Sequence, residues 1–414
     1  MNAPGPVLIH ARGRQTPDEC AFWNRLDAAL RAAGRPLVII AHHEAKAPVA
    51  FDMRTVPNGF DSAEGDDPPS GSIGRVTIDE LLERERLWWG PEGSERHTSR
   101  RQRGAEFFRA AYARWLDEWA PSLVVIWSGH HAQEIILAEL ARQRGVPLAW
   151  IERGPLPRTL HFDRLGVLGG SSVAHQSSWS WRSPDERRHW RDVLDRFIGT
   201  LGDTTWWEQP DAVGPAAFRE RLGIRQDQTV ACFAGQVDRD AQNFFFSPTF
   251  ANNAAALKWM CRQLPGPCFL LGKHHPKSAT PSDEYARFLA DRLGAWVTDA
   301  ALSDCIAACD RFVAVNSTSL FEAMLAGKPS LMLGQGLLSN KAIAYNADEV
   351  QDWLAGADWT ERARRFRDFA AHLLADHLFA ADEANEQRGL RGVEHLARTL
   401  VSWSQTPHLE RASA

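Results

Sequence analysis

Two short segments of this 414-residue chain carry side chains of the kind and spacing that could hold an anion. The first is Arg311 to Gly336, RFVAVNSTSLFEAMLAGKPSLMLGQG, in which Asn316, Ser317 and Thr318 separate an apolar run from a helical pattern holding Glu322. A strand that delivers hydroxyls and free backbone N–H groups into the start of a helix makes a place for an anion, phosphate first among them. Ser319 and Glu322 also fit a capping box, in which each side chain satisfies the other's backbone donor. The second segment is Lys273-His274-His275-Pro276, which follows the apolar run Cys268 to Leu271. Two strand ends in one half of the chain therefore carry phosphate-seeking groups. Lys273 and Lys277 flank the turn, where they add charge to a bound phosphate or stay solvated.

The elements that must position these groups follow from hydrophobic periodicity. The chain opens with a strand (Val7 to His10), a helix (Pro17 to Ala33) and a strand (Pro36 to Ala41). Asn58 to Gly74, rich in Gly, Pro, Asp and Ser, reads as a loop. Helices are expected over Ile78 to Trp89 and from about Arg101 to Trp119, then a strand (Ser122 to Trp127), a helix (Ala132 to Arg144) and a strand (Pro147 to Ile151). Trp127-Ser128-Gly129-His130-His131 sits at one strand end and Glu152-Arg153-Gly154 at another, which predicts a shared rim. Pro184 to Gly199 reads as a helix, and the mixed stretch Gly202 to Gly214 as a domain boundary.

The second half restarts with a strand (Thr229 to Phe233) and a helix (Asn252 to Leu264). After the His-Pro turn come a helix (Asp283 to Leu293), a strand at Trp296 and Val297, and a helix (Ser303 to Cys309). Everything from about Asp348 is expected to be helical. Strands alternating with helices predict an α/β fold of two Rossmann-like domains facing a central cleft, residues 1–205 and 206–414, with helices at the C-terminal end.

Composition narrows the class. Apolar content of 44% and charged content of 24% are those of a globular protein, and a net charge of −5 gives no reason to expect nucleic acid as a partner. No signal sequence and no apolar stretch of membrane-spanning length is read, so a cytoplasmic protein is expected. The 6 cysteines show no CxxC, and Cys305 and Cys309 share a helix face, which suits core packing better than zinc. Seventeen tryptophans, with pairs at Trp88-Trp89 and Trp206-Trp207, suit either core filling or stacking on sugar rings.

Four blocks, IERGPLPRTLHFDRLGVLGGSSV (Ile151 to Val173), GQVDRDAQ (Gly235 to Gln242), KHHPK (Lys273 to Lys277) and VNSTSLFEAMLAGKPSLMLGQG (Val315 to Gly336), resemble the capsule polysaccharide biosynthesis family. That family consists of bacterial glycosyltransferases of GT-B architecture and includes the β-Kdo transferases. The resemblance implies a CMP-activated sugar acid, CMP-Kdo, as donor and a glycan or glycolipid as acceptor, with peripheral contact at the inner membrane compatible with such an acceptor. It implies that His275, Ser317 and Thr318 hold the donor phosphate with Asn316 in support. A protonated His275 would stabilise the departing CMP, and Glu322 would accept from ribose hydroxyls.

Gln236, Asp240 and Gln242 are expected to line the interdomain cleft near the donor. The catalytic carboxylate is expected at Glu152, with Asp163 and the pair Asp238 and Asp240 in reserve. The related transferases carry an acidic residue or Asn where this chain has Arg153, and a guanidinium can neither take a proton nor attack a sugar. Asp238-Arg239-Asp240 spells a three-residue metal signature inside a block that already matches for other reasons, and neither a metal nor another cofactor is expected. A UDP-sugar transferase, a sugar-nucleotide epimerase and a non-catalytic nucleotide- or glycan-binding protein are the alternative readings.

Overall fold

Apolar runs of about five residues bounded by turn formers become strands here, because a strand covered on both faces needs no polar alternation. The computed structural model describes residues 4–12, 15–57, 72–89, 95–198 and 209–406; the side chains of residues 89 and 95–100 lie outside that description. The strands are β1 Val7–Ala11, β2 Leu37–Ala41, β3 Asp52–Thr55, β4 Ser72–Ile73, β5 Val76–Thr77, β6 Leu123–Trp127, β7 Leu148–Arg153, β8 Thr159–Asp163, β9 Val230–Ala234, β10 Phe269–Lys273, β11 Gly294–Val297, β12 Arg311–Ala314, β13 Ser330–Met332 and β14 Leu378–Ala380.

The chain packs as two units. The first comprises Met1–Arg153, Thr159–Val167 and His377–Ala414, and the second Gly154–Arg158 and Leu168–Asp376. In the first, a seven-stranded sheet runs in the order β14-β8-β7-β6-β1-β2-β3. From β7 to β3 every neighbouring pair is parallel, whereas β8 runs antiparallel to both β7 and β14. VLIHA in β1 and LVIIA in β2 are buried along their whole length. The helix between them, Pro17–Ala32, starts at a capping box in which Thr16 accepts from the Glu19 N–H and Glu19 accepts from the Thr16 N–H at 2.7 Å.

In the second unit a five-stranded, wholly parallel sheet runs β11-β10-β9-β12-β13. Helices connect these strands, as parallel pairing requires. Helix Ser319–Leu325 joins β12 to β13, and Gly327 (φ 78°) takes the left-handed position after that helix. The expected α/β class with two Rossmann-like units is the observed one.

The division of the chain differs from the one expected at 205/206. Helix Pro184–Ile198 packs on helix Trp359–Asp376, and Asp368 of the latter accepts from Trp179 Nε1 (3.0 Å), Trp181 Nε1 (3.3 Å) and Arg187 Nε (2.6 Å). These contacts tie 168–198 to the second unit. At the other end β14 pairs with β8, and helix Val393–Ser404 packs on helix Pro17–Ala32, so the C-terminal segment returns to the first unit.

The region from Asp348 onward accordingly holds a strand, and β3, β8 and the small β4–β5 hairpin also went unread. The helix expected over Asp283 to Leu293 is only Ser282–Ala286 followed by a 3₁₀ turn at Arg287–Leu289. Residues 58–71 of the expected loop, and the pair Trp206-Trp207 with most of the expected boundary, lie outside the described residues. Trp23, Trp88, Trp115, Trp150 and Trp353 are buried, as core filling requires. Cys232, Cys305 and Cys309 are buried too, and their mutual proximity together with burial pushes the Cys232 thiol up.

Candidate functional site

The sheet register of the second unit brings the two chemistry-bearing segments together. Lys273 at the end of β10 and Ala314 at the end of β12 both pair with Ala234 at the end of β9, the strand between them. The turns that follow, Gly235-Gln236, His274-His275-Pro276 and Asn316-Ser317-Thr318, therefore emerge side by side at the carboxyl edge, where open parallel sheets bind ligands. A cavity of about 770 Å³, including its open mouth, is lined there by Gly235, Lys273, His275, Ser317, Thr318 and Glu322 among others.

Each wall is fixed by hydrogen bonds that can be read back to the sequence. His275 Nδ1 accepts the Lys277 N–H at 3.0 Å, which leaves the ring proton on Nε2 as a donor. His274 is held likewise, with Nδ1 accepting from Trp296 Nε1 at 3.1 Å. Trp296 can lie over β10 only because residue 272 is glycine: a Cβ there would stand 2.1 Å from the indole Cε3. Lys273 is buried with its Nζ donating to the His274 carbonyl at 2.9 Å, and burial lowers its pKa. Burial first, then the charge of Lys273, lowers His275 to about 4. The ring is thus neutral at physiological pH, not the imidazolium expected, and its Nε2–H is what it offers.

On the facing wall, Ser317 Oγ accepts from the backbone N–H of Ser319 at 3.2 Å and pairs with its hydroxyl at 2.9 Å. Thr318, exposed, is the residue at which helix Ser319–Leu325 begins. The capping box between Ser319 and Glu322 does not form, because Ser319 is already inside the helix and its hydroxyl turns back to Ser317. Among the described residues no group hydrogen-bonds the Glu322 carboxylate, and burial raises it to about 7. Gln209, inside the expected boundary stretch, also lines the cavity, and its buried Oε1 has no partner among the described residues.

Four of the expected binding residues belong to the frame beneath the cavity and not to its lining. Gln236 bridges two strand ends: its Oε1 accepts the Asn316 N–H at 2.9 Å and its Nε2 donates to Asn316 Oδ1 at 3.1 Å. Asn316 Nδ2 donates to the carbonyls of Gln242 (2.9 Å) and Gln335 (3.1 Å). Asp240 caps helix Ala241–Phe246 by accepting from the Gln242 N–H at 2.7 Å, and burial raises its pKa. Gln242 lies in that helix with its side-chain Nε2 buried and, among the described residues, without a partner. The other acid of the Asp-Arg-Asp triplet, Asp238, accepts from the Asn253 N–H (3.0 Å), Asn253 Nδ2 (2.8 Å), Thr280 Oγ1 (2.6 Å) and the Tyr285 hydroxyl. Protein donors engage both carboxylates, in two separate local tasks.

The remaining candidates sit in the first unit. Glu152, half-buried near the end of β7, accepts the Arg153 N–H at 2.9 Å. Asp163 is buried at the end of β8, and its Oδ1 accepts the N–H groups of Leu165 (2.7 Å) and Gly166 (3.3 Å), which fastens the turn. His131 is buried and stacks on Trp88 with ring centroids 4.3 Å apart, so it packs as much as it presents itself. Its neighbourhood holds groups not singled out from the sequence. Glu134 accepts the backbone N–H groups of His130 (2.9 Å) and His131 (3.1 Å) and is raised by burial to about 7, with Arg12 3.6 Å away. The signal was available, since Glu134 is the third residue of helix Ala132–Gln143, where a capping carboxylate belongs.

No protein-family model matches the chain, and no curated protein matches it. Among solved structures, the beta Kdo 2,7 transferase of Thermosulfurimonas dismutans KpsC is similar at 15% identity over 68% of this chain and 88% of that one, with a TM-score of 0.41. The beta Kdo 2,4 transferase of the same protein is similar at 15% identity, covering 57% and 79%, with a TM-score of 0.39. The glycosyltransferase SnogD from Streptomyces nogalater is 12% identical over 97% and 99%, with a TM-score of 0.35. At these values the likenesses carry no argument about activity.

Proposed function

We propose that this protein is a nucleotide-sugar-dependent glycosyltransferase whose second unit holds the donor. The observation that carries the reading is that the His-Pro turn and the Asn-Ser-Thr turn, read separately from the sequence as phosphate-seeking, line one cavity at the carboxyl edge of a parallel sheet. The donor phosphate lies between the Nε2–H of His275 and the hydroxyls of Ser317 and Thr318, with the buried ammonium of Lys273 behind it. A phosphate brought to a neutral imidazole raises that group's pKa, so the ring can take up a proton as charge develops on the departing nucleotide. Glu322 accepts from the ribose hydroxyls, a role supported by its freedom from any capping bond.

CMP-Kdo is the proposed donor and a surface glycan or its lipid-linked precursor the proposed acceptor, both on the four sequence blocks alone. Glu152 is the proposed nucleophile or general base. No described helix is long and apolar enough to cross a membrane. A thermal-shift series with CMP, UDP and GDP tests the donor site: stabilisation by CMP above the others is expected, and no stabilisation by any nucleotide removes the reading. Glu152→Gln should abolish transfer while leaving the CMP shift intact; a variant of normal activity takes Glu152 out of the mechanism. Arg153, standing where the related enzymes carry an acid or Asn, favours one second reading, a protein that binds donor without reacting. Undiminished donor after incubation with a panel of acceptors would select it.

A further inference from the structure

The first unit contains a cluster of ligating side chains that the donor site does not use. His161 and Asp163 lie two apart on β8 and so project to one face of the sheet, and His377 immediately precedes β14, the antiparallel neighbour of β8. One ligating atom from each of the three stands within 4.8 Å of the other two. The His161 and His377 rings have centroids 6.1 Å apart.

His161 is the independent sign that something belongs there. Its side chain is wholly buried, yet among the described residues neither ring nitrogen has a hydrogen-bond partner. An imidazole always has two nitrogens to satisfy, and enclosing both without partners is costly unless another group completes the site. Asp163 is already oriented: its Oδ1 holds the N–H groups of Leu165 and Gly166, which fixes the plane of the carboxylate as outer hydrogen bonds do for metal ligands. Glu152, opposite His161 in the β7–β8 register, adds a second carboxylate to the neighbourhood.

We propose that His161, Asp163 and His377 bind a divalent transition metal of the zinc class. Two imidazoles and one carboxylate are a borderline donor set that suits such ions, and bonds of about 2.0–2.2 Å would draw the three ligands slightly closer than they stand. His377, only half-buried, supplies the movement. Three protein ligands leave a position for water. The ion would clip β14, where the chain re-enters the first unit, to β8, closing a very long loop with a single bond set. Asp163 then serves as a ligand and not as a reserve reaction carboxylate.

The test uses the full chain stripped with EDTA, then given zinc or cobalt(II) and desalted. Expected are close to one zinc per chain by atomic absorption, a raised melting temperature with zinc, and a visible d–d band with cobalt. His377→Ala should lose the bound ion, the temperature shift and the cobalt band while melting like the metal-free wild type. Should that variant fail to fold, His377→Gln, which retains bulk, takes its place. A wild-type chain that retains neither ion overturns the proposal, and so does a folded His377 variant that keeps the stoichiometry and the shift, because the ion then sits elsewhere.

Discussion

His275 and Glu322 make the proposed donor site sensitive to pH in opposite senses. His275 titrates at about 4 when the site is empty, and a bound phosphate raises that value, so nucleotide affinity should increase as pH falls toward it. Glu322 titrates at about 7 and binds ribose hydroxyls best when ionised, so its contribution should fade below neutrality. The affinity of CMP measured from pH 5 to 9 should therefore fall as pH drops through 7 and recover toward pH 5, passing through a minimum. His275→Ala should flatten the acid-side gain and weaken binding about 10-fold or more, the loss of a hydrogen bond to a charged group.

Glu322 also carries a stability consequence. Its folded pKa lies above the unfolded value of about 4.5, so the penalty for ionising it is absent below that value, grows as pH rises to 7 and is constant above. Glu322→Gln should then raise stability at pH 8 by on the order of 1–2 kcal/mol, given its partial exposure, and by nothing at pH 4. Melting curves at the two pH values check this. The residue types of this site were legible in the sequence, because turns after apolar runs are recognisable locally. The protonation of His275 was not legible, because it depends on burial and on a lysine whose side chain folds back on the turn.

Among the elements, β10 shows how far the site depends on a strand's own sequence. Gly272 lets Trp296 lie across the strand, and Trp296 holds His274. Gly272→Ala should cost about 1–3 kcal/mol, the usual result of overfilling a packed core, and should weaken CMP binding through the displaced turn. Thermal melts with and without CMP measure both effects. The long parallel strands were readable because each is an apolar run between turn formers. The missed ones lacked that mark: β3 reads DMRT, half polar, and β14 is LFA at the end of a long helix, where three apolar residues match either period. Gln236, Asp240, Gln242 and Asn316 were recognised as unusual polar residues near strand ends, but only tertiary pairing reveals that they bond chiefly to one another.

For the whole molecule, the division at 205/206 failed because linear reading assumes that a domain is one stretch of chain. The observed first unit needs 377–406, whose β14 covers β8 and whose helix Val393–Ser404 packs on helix Pro17–Ala32. A chain ended after Asp376 should lose the melting transition of the first unit while the second still responds to CMP; calorimetry would resolve the two, and an unchanged first transition would show the C-terminal return to be dispensable. During synthesis the same arrangement imposes an order. Everything the second unit requires has left the ribosome while β8 still presents an open edge, the kind of edge that invites pairing with other chains. The nascent protein must therefore keep a half-finished sheet from aggregating until β14 arrives, which makes residues 377–406, and any metal that secures them, matter to yield in the cell as well as to the fold.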